Sequence, residues 1–109
     1  MNWISLESAE QLSGIKQKAG YSIIFKHSTR CSISLMAKRR LELDGDHLPE
    51  NLPVYFLDLI KYRDVSNLVA QDFQVHHQSP QLLLIKDGEC ILDQSHGGIS
   101  VEEALSELS

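Results

Sequence analysis

The sequence predicts an α/β fold in which helices flank a mixed sheet of four to five strands. Helical and extended patterns alternate along the chain, and its first half contains a strand–helix–strand unit. Near its end, an Asp-Gly dipeptide joins two apolar runs. The first unit predicts parallel strands and the dipeptide predicts an antiparallel hairpin, so the sheet is expected to be mixed.

The first two elements are expected to be a helix and a strand. Ser5 or Ser8 can cap a helix that runs to about Lys18, because apolar residues recur there at helical spacing. Gly20 then ends it. The β-branched and aromatic run at 21–27 predicts a strand that stops abruptly at a polar segment.

A second helix is expected to begin at the cysteine that follows this polar segment. Ile33, Met36, Ala37 and Leu43 keep an apolar period close to that of a helix. The Asp-Gly-Asp turn signal at 44–46 closes the pattern.

Another strand and helix follow. Residues 53–60 are apolar enough for a strand that is buried on both faces. Asp64 or Ser66 can cap the next helix, which runs through Asp72.

A hairpin and a last helix complete the predicted elements. Strands at 81–86 and 89–93 flank Asp87-Gly88, which supplies the positive φ angles of a type I′ turn. The sequence Ser-Val-Glu-Glu at 100–103 matches a capping box and opens a helix through Leu108.

Length and charge restrict the classes of function. We expect one domain over 1–109, because this length suffices for a single core. The formal net charge of −5 argues against a nucleic-acid partner, and the short basic run 38–40 is interpreted as a solvated helix end. No apolar run approaches a membrane span and no secretory signal is visible, so we expect a cytoplasmic protein.

Two cysteines are too few for a disulfide framework, which directs attention to their local chemistry. Cys31 opens a helix, where free backbone N–H groups and the positive end of the helix dipole favour a thiolate. Arg30 beside it adds positive charge. Two interpretations of Cys31 stay open at this point, an activated nucleophile and a small buried hydrophobe. Cys90, just past the hairpin turn, is expected to be an inert filler of the sheet.

Other kinds of site lack their sequence signals. The spacing of Cys31, Cys90, His76 and His77 matches no metal-binding pattern, so no metal is expected. A nucleophile elbow and a phosphate-binding glycine loop are also missing. His27, at the end of a strand, is interpreted as a surface residue that is close enough to influence Cys31.

The order strand, Cys31-Ser32-Ile33-Ser34, helix, and then Ser79-Pro80 before a hairpin resembles the three-layer thioredoxin fold. More closely, residues 25–34, Phe-Lys-His-Ser-Thr-Arg-Cys-Ser-Ile-Ser, resemble the signature of the YtxJ family, monothiol bacilliredoxin-like proteins assigned to the bacillithiol redox system. Ser32 stands where that family often has proline. The resemblance implies that Pro80 is cis and that the Ser79 backbone pairs with an extended substrate beside the thiol.

The resemblance also implies a monothiol mechanism. The Cys31 thiolate would take bacillithiol from a protein mixed disulfide, and a second free thiol would regenerate it. Ser34 occupies the position of a resolving cysteine and is expected to hydrogen-bond the thiolate. Substrate contacts are expected from Thr29, Arg30 and Lys26, with the two cations attracting the carboxylates of bacillithiol.

Bacillithiol is therefore the expected cosubstrate, and no bound cofactor is expected. The expected partners are bacillithiol-modified proteins. The protein itself is expected to be a monomer. The alternative from another class is a noncatalytic thioredoxin-like binding module, in which Cys31 is a redox-sensitive contact. A chaperone, or a reductase acting on another acceptor such as an arsenate or a peroxide, is a third. Rapid alkylation of Cys31 at neutral pH favours the enzyme and slow alkylation favours the binding module.

Overall fold

The fold is an α/β arrangement in a computed structural model that describes residues 1–108. Its strands and helices are β1 (Trp3–Ser5), α1 (Ala9–Gln17), β2 (Tyr21–His27), α2 (Ser32–Asp44), β3 (Val54–Asp58), α3 (Arg63–Phe73), β4 (Gln81–Lys86), β5 (Glu89–Ser95) and α4 (Val101–Ser106). Short 3₁₀ turns follow α2, at Gly45–His47, and β5, at His96–Gly98.

The five strands form one mixed sheet in the order β1-β3-β2-β4-β5. Both β1 and β2 run parallel to β3, whereas β4 is antiparallel to β2 and to β5. This arrangement confirms the predicted class and its mixture of parallel and antiparallel pairs. It also makes β2 an interior strand with a neighbour on each side.

Helices cover both faces of the sheet and produce three layers. One core cluster joins α1 and α3 to the sheet, through Leu12, Ile15, Ile24, Leu57, Val65, Val69, Phe73 and Leu83. The other joins α2 and α4 to the opposite face, through Ile23, Phe25, Ala37, Leu41, Leu82, Leu84 and Val101. Neighbouring residues of β2 therefore face different helices. None of the helices that residues 1–108 form is long and apolar enough to span a bilayer.

The β4–β5 hairpin has the predicted two-residue turn. Asp87 and Gly88 both have positive φ, 51° and 83°, as a type I′ turn requires. The Asp87 carboxylate accepts a hydrogen bond from the Gly20 backbone N–H at 2.7 Å, which attaches the hairpin to the start of β2.

The face of helix α2 that packs against the sheet is not the one that its apolar residues predict. Ser34, Ala37 and Leu41 are buried against the sheet. Ile33 and Met36, which contribute to the apolar period, are 54% and 62% exposed. A polar residue thus takes the inward position in the first turn of this helix.

Two further details differ from the sequence predictions, and one agrees with them. The strand β1 was not predicted, because three residues are too few to show a periodic pattern. Helix α3 begins after Tyr62 without a side-chain cap, so neither Asp64 nor Ser66 caps it. Ser100 caps α4 as predicted, and Gln94 completes that cap by accepting the Ser100 N–H and donating to Glu103.

Candidate active site

Cys31 is the N-cap residue of α2 and lies at the end of the turn that leaves β2. Its backbone N–H donates to the Ser28 carbonyl at 3.2 Å, and its carbonyl accepts the Leu35 N–H at 3.1 Å. The residue is partly exposed and forms no disulfide. The predicted position at a helix start is confirmed.

Ser34 lies one turn into α2 and is completely buried. Its Oγ accepts the Ser28 backbone N–H at 3.0 Å and lies 2.7 Å from Nδ1 of His27. The hydroxyl therefore links the first turn of α2 to the end of β2. A hydroxyl has one proton to donate, so the expected hydrogen bond to the Cys31 thiolate competes with this link.

The surface position expected for His27 is wrong, because the residue is only 3% exposed. Its ring packs on Phe25 and Phe56, with centroids 5.9 and 5.2 Å apart. Burial, and then the charge of Lys38, lower the pKa of His27, while the Asp58 carboxylate opposes them. This face of β2 is covered by α2, which the position of His27 at the strand end did not reveal.

The Ser79–Pro80 peptide bond is cis, as the resemblance implied. It directly precedes β4, and the register pairs Gln81 with Lys26 near the end of β2. Pro80 and the turn that carries Cys31 consequently lie at the same end of the sheet. Pro80 is buried and Ser79 is partly exposed.

Lys26 lies inside the protein, with no exposed surface, instead of on the expected binding surface. Its Nζ donates to the Ser66 carbonyl at 3.0 Å and lies 3.1 Å from Nδ1 of His77. Burial lowers the pKa of Lys26 to about 8. The ammonium is thus directed toward α3 and the loop that follows it, away from the Cys31 side of the sheet.

The exposed surroundings of Cys31 combine polar and apolar groups. Thr29 and Arg30 are exposed on the turn that precedes the thiol, as substrate contacts must be. Ile33 and Met36 are exposed just beyond it on α2. The structure therefore brings a partly accessible thiol, a cation and apolar surface together, and leaves Lys26 out of this group.

Comparison with known families decides the relationship of the chain. Residues 4–104 match the family model described as monothiol bacilliredoxin BrxC. The chain belongs to the BrxC family of monothiol bacilliredoxins. Membership in that family, together with the fold, supports a thiol–disulfide redox function for this bacilliredoxin.

Solved structures show the same fold. A candidate oxidoreductase with a thioredoxin fold is 28% identical, with a TM-score of 0.83 over 95% of this chain and 91% of the other. Thioredoxin from Trypanosoma brucei brucei is 11% identical, with a TM-score of 0.78 over 97% and 93%. The reduced Schistosoma mansoni thioredoxin is 17% identical, with a TM-score of 0.75 over 100% of both chains. The bacilliredoxin therefore has the predicted thioredoxin-like architecture.

The second cysteine of this bacilliredoxin lies on the other end of the sheet. Cys90 pairs with Ile85 beside the hairpin turn, and its Sγ lies 3.4 Å from the Leu92 carbonyl. Burial raises the pKa of the Cys90 thiol to about 11. At about 3.3 Å per residue, β4 separates the hairpin turn from Pro80 by roughly 20 Å. A disulfide requires Cα atoms within about 7 Å, so Cys90 is not placed to resolve an adduct on Cys31.

Two polar residues that hold the loop before Pro80 were missed or misassigned from the sequence. Gln81 is completely buried, accepts the Gln78 N–H and donates to the His76 carbonyl. Lys26, its partner across the β2–β4 pair, contacts His77 in the same loop. The sequence feature that could have indicated both roles is a polar residue in an otherwise apolar strand. Within residues 1–108, no cluster of histidine, cysteine or acidic side chains could hold a metal ion.

Proposed function

We propose that this bacilliredoxin removes bacillithiol from protein mixed disulfides by exchange at a single thiol, Cys31. The observation that carries the proposal is a partly exposed thiol at the start of α2, with a buried serine in place of a second thiol one turn later. Partial exposure lets a disulfide reach the Cys31 sulfur, and with a serine at position 34 no internal thiol lies one turn away to displace the adduct that forms.

The reaction consists of two disulfide exchanges with no net oxidation of the enzyme. The Cys31 thiolate attacks the bacillithiol sulfur, forms an S–S bond to it, and breaks the bond to the substrate protein. The released protein thiolate takes a proton from water. A free bacillithiol thiolate then attacks the adduct, which yields bacillithiol disulfide and restores the Cys31 thiolate.

Residues around the thiol supply the substrate contacts. The exposed Arg30 attracts the carboxylates of bacillithiol, and the exposed Thr29 lies beside it on the same turn. The Ser79 backbone pairs with an extended segment of the modified protein, next to the cis Pro80. In this proposal the protein is a monomer with one domain, acts in the cytoplasm and uses bacillithiol as a cosubstrate without a bound cofactor.

Transfer of the bacillithiol mass tests the function directly. A protein carrying one bacillithiol mixed disulfide is incubated with wild type, Cys31→Ser or Cys90→Ser, and intact masses are recorded after acid quenching. Wild type and Cys90→Ser should gain one bacillithiol while the substrate loses it, and Cys31→Ser should gain none. Parallel substrates modified with glutathione or cysteine measure the thiol preference. Failure of the bacillithiol to transfer, with slow alkylation of Cys31, would favour the noncatalytic binding module.

The role of Arg30 is tested with a matched charge reversal. Arg30→Glu should slow transfer from the anionic protein–bacillithiol mixed disulfide by about three- to tenfold, because it replaces an attraction by a repulsion near the thiol. Arg39→Glu makes the same charge change at another exposed site, on α2, and should have a smaller effect. Equal rates for the two variants would show that Arg30 does not contact the substrate.

A further inference from the structure

A buried chain of hydrogen-bonding groups connects His27 to the turn that carries Cys31. The Ser28 N–H donates to Ser34 Oγ at 3.0 Å, and Ser34 Oγ lies 2.7 Å from His27 Nδ1. The Ser28 carbonyl in turn accepts the Cys31 N–H at 3.2 Å. Ser28 is thus held at its N–H by α2 and at its carbonyl by Cys31.

The donors and acceptors in this chain restrict its proton positions. A serine hydroxyl has one proton and two lone pairs, and the Ser28 N–H uses one lone pair. The 2.7 Å separation allows neutral His27, with its proton on Nε2, to accept the Ser34 proton at Nδ1. The hydroxyl then has its donor and an acceptor lone pair both satisfied within a site that water does not reach.

The surroundings of His27 favour the neutral ring. Its imidazole packs on Phe25 and Phe56, and both its own burial and the Lys38 ammonium disfavour protonation. The Asp58 carboxylate at the end of β3, a hydrogen bond with Ser34 and the Glu42 carboxylate on α2 act in the opposite direction, each with a smaller effect.

We propose that His27 is a positioning residue for Cys31 and acts through Ser34. His27 accepts the Ser34 proton, which orients the hydroxyl to hold the Ser28 N–H and fixes the 28–31 turn against the start of α2. The Cys31 sulfur is then held in place at the start of α2, where an incoming disulfide can reach it. This inference rests on the proposed exchange at Cys31, but its test uses a small neutral disulfide and does not depend on bacillithiol.

Variants at positions 27 and 34 provide the test, all in a Cys90→Ser background. His27→Phe keeps an aromatic ring between Phe25 and Phe56 but removes the acceptor, and His27→Asn restores an acceptor close to the Nδ1 position. The measured quantity is the rate at which Cys31 reacts with a dipyridyl disulfide, followed by absorbance of the released thiopyridone. Circular dichroism and Trp3 fluorescence verify the fold of each variant.

Loss of one internal hydrogen bond predicts the size of the change. His27→Phe and Ser34→Ala should each lower the rate by about three- to tenfold, and His27→Asn should recover most of it. If His27 acts through Ser34, combining His27→Phe with Ser34→Ala should lower the rate no further than Ser34→Ala alone. Effects that multiply in the double variant, or an unchanged rate in His27→Phe, overturn the proposal. If His27→Phe does not fold, Ser34→Ala and His27→Asn still test the proposal. An unchanged rate in Ser34→Ala contradicts the positioning role. A loss of rate in His27→Asn as large as that in Ser34→Ala also contradicts it.

The pH profile separates positioning from a general effect on packing. The rate ratio of wild type to His27→Asn should be near one at neutral pH and fall as His27 becomes protonated, because imidazolium cannot accept the Ser34 proton. A ratio that is constant with pH, or one that rises in acid because a charged His27 favours the thiolate, contradicts the proposal. An increased rate in His27→Phe would also overturn it, since it would show that the released Ser34 hydroxyl donates to the Cys31 sulfur.

Discussion

Nζ of Lys26 lies 3.1 Å from Nδ1 of His77, which ties an interior strand of the sheet to the loop before the cis Pro80. The lysine side chain is completely buried, and the Ser66 carbonyl accepts a second hydrogen bond from it at 3.0 Å. Burial disfavours the ammonium, and this cost makes the stability of the fold sensitive to alkaline pH.

Replacing Lys26 by methionine should change how stability depends on pH. Burial lowers the pKa of Lys26 to about 8 from an ordinary value of 10.5, so in this interval the unfolded chain binds a proton that the folded chain does not. Stability contributed by this residue therefore rises with pH. The free energy of unfolding of wild type relative to Lys26→Met should increase by about 1–3 kcal/mol between pH ~7 and ~10, measured by urea denaturation.

An exposed lysine provides the control for this measurement. Lys61→Met removes a cation that lies over the Tyr62 ring at the surface, so its difference from wild type should hardly change over the same interval. Parallel pH curves for Lys26→Met and wild type would mean that folding does not lower the pKa of Lys26.

The two thiols should differ strongly in alkylation. Burial raises the pKa of Cys90 to about 11, so only about a thousandth of it is thiolate at pH ~8. Peptide mapping after brief iodoacetamide treatment should find Cys31 modified and Cys90 intact. In urea, where the sheet is unfolded, both cysteines should react at similar rates. Preferential modification of Cys90 in the folded protein would refute this assignment of the reactive thiol.

A second thiol one helical turn along should convert the monothiol site into a dithiol site. In wild type, one small-disulfide adduct on Cys31 should persist until another thiol arrives. Ser34→Cys puts a thiol at i+3, where helix geometry allows side chains to meet, and should release the adduct by closing a disulfide. Ser32→Cys is the control, because neighbouring helical side chains do not face each other. Mass spectrometry should show adduct loss in Ser34→Cys only, and a stable adduct in that variant would contradict the geometry.

The hairpin turn should not tolerate a side chain at Gly88. This residue has φ +83°, and an added Cβ would overlap the backbone carbonyl of Lys16 at the end of α1. Gly88→Ala should lower the free energy of unfolding by about 1–3 kcal/mol. At Gly97 an added Cβ has no neighbour within 4 Å, so Gly97→Ala should stay close to wild type. Urea denaturation compares Gly88→Ala with Gly97→Ala. Equal losses of unfolding free energy in the two variants would mean that the turn at Gly88 shifts to make room for the added side chain.

Local patterns in the sequence determined the order of most elements and the place of Cys31. An apolar strand followed by a polar segment and a helical period puts Cys31 at a helix start. Asp87-Gly88 specifies the hairpin, because few dipeptides accept positive φ at both positions. Ser34 established that the site has one thiol, since its spacing from Cys31 is a property of the helix itself.

Only the tertiary structure decided which polar residues near the site are buried and what they contact. Lys26 and His27 are neighbours on β2 and point to opposite faces of the sheet, where α3 and α2 cover them. Strand periodicity predicts that two such residues face apart, but not that both faces are covered. The link from His27 to Ser34 requires in addition that the first turn of α2 pack against the end of β2. The sequence thus determined where the thiol lies, and the packing of helices on both faces of an interior strand decided its surroundings.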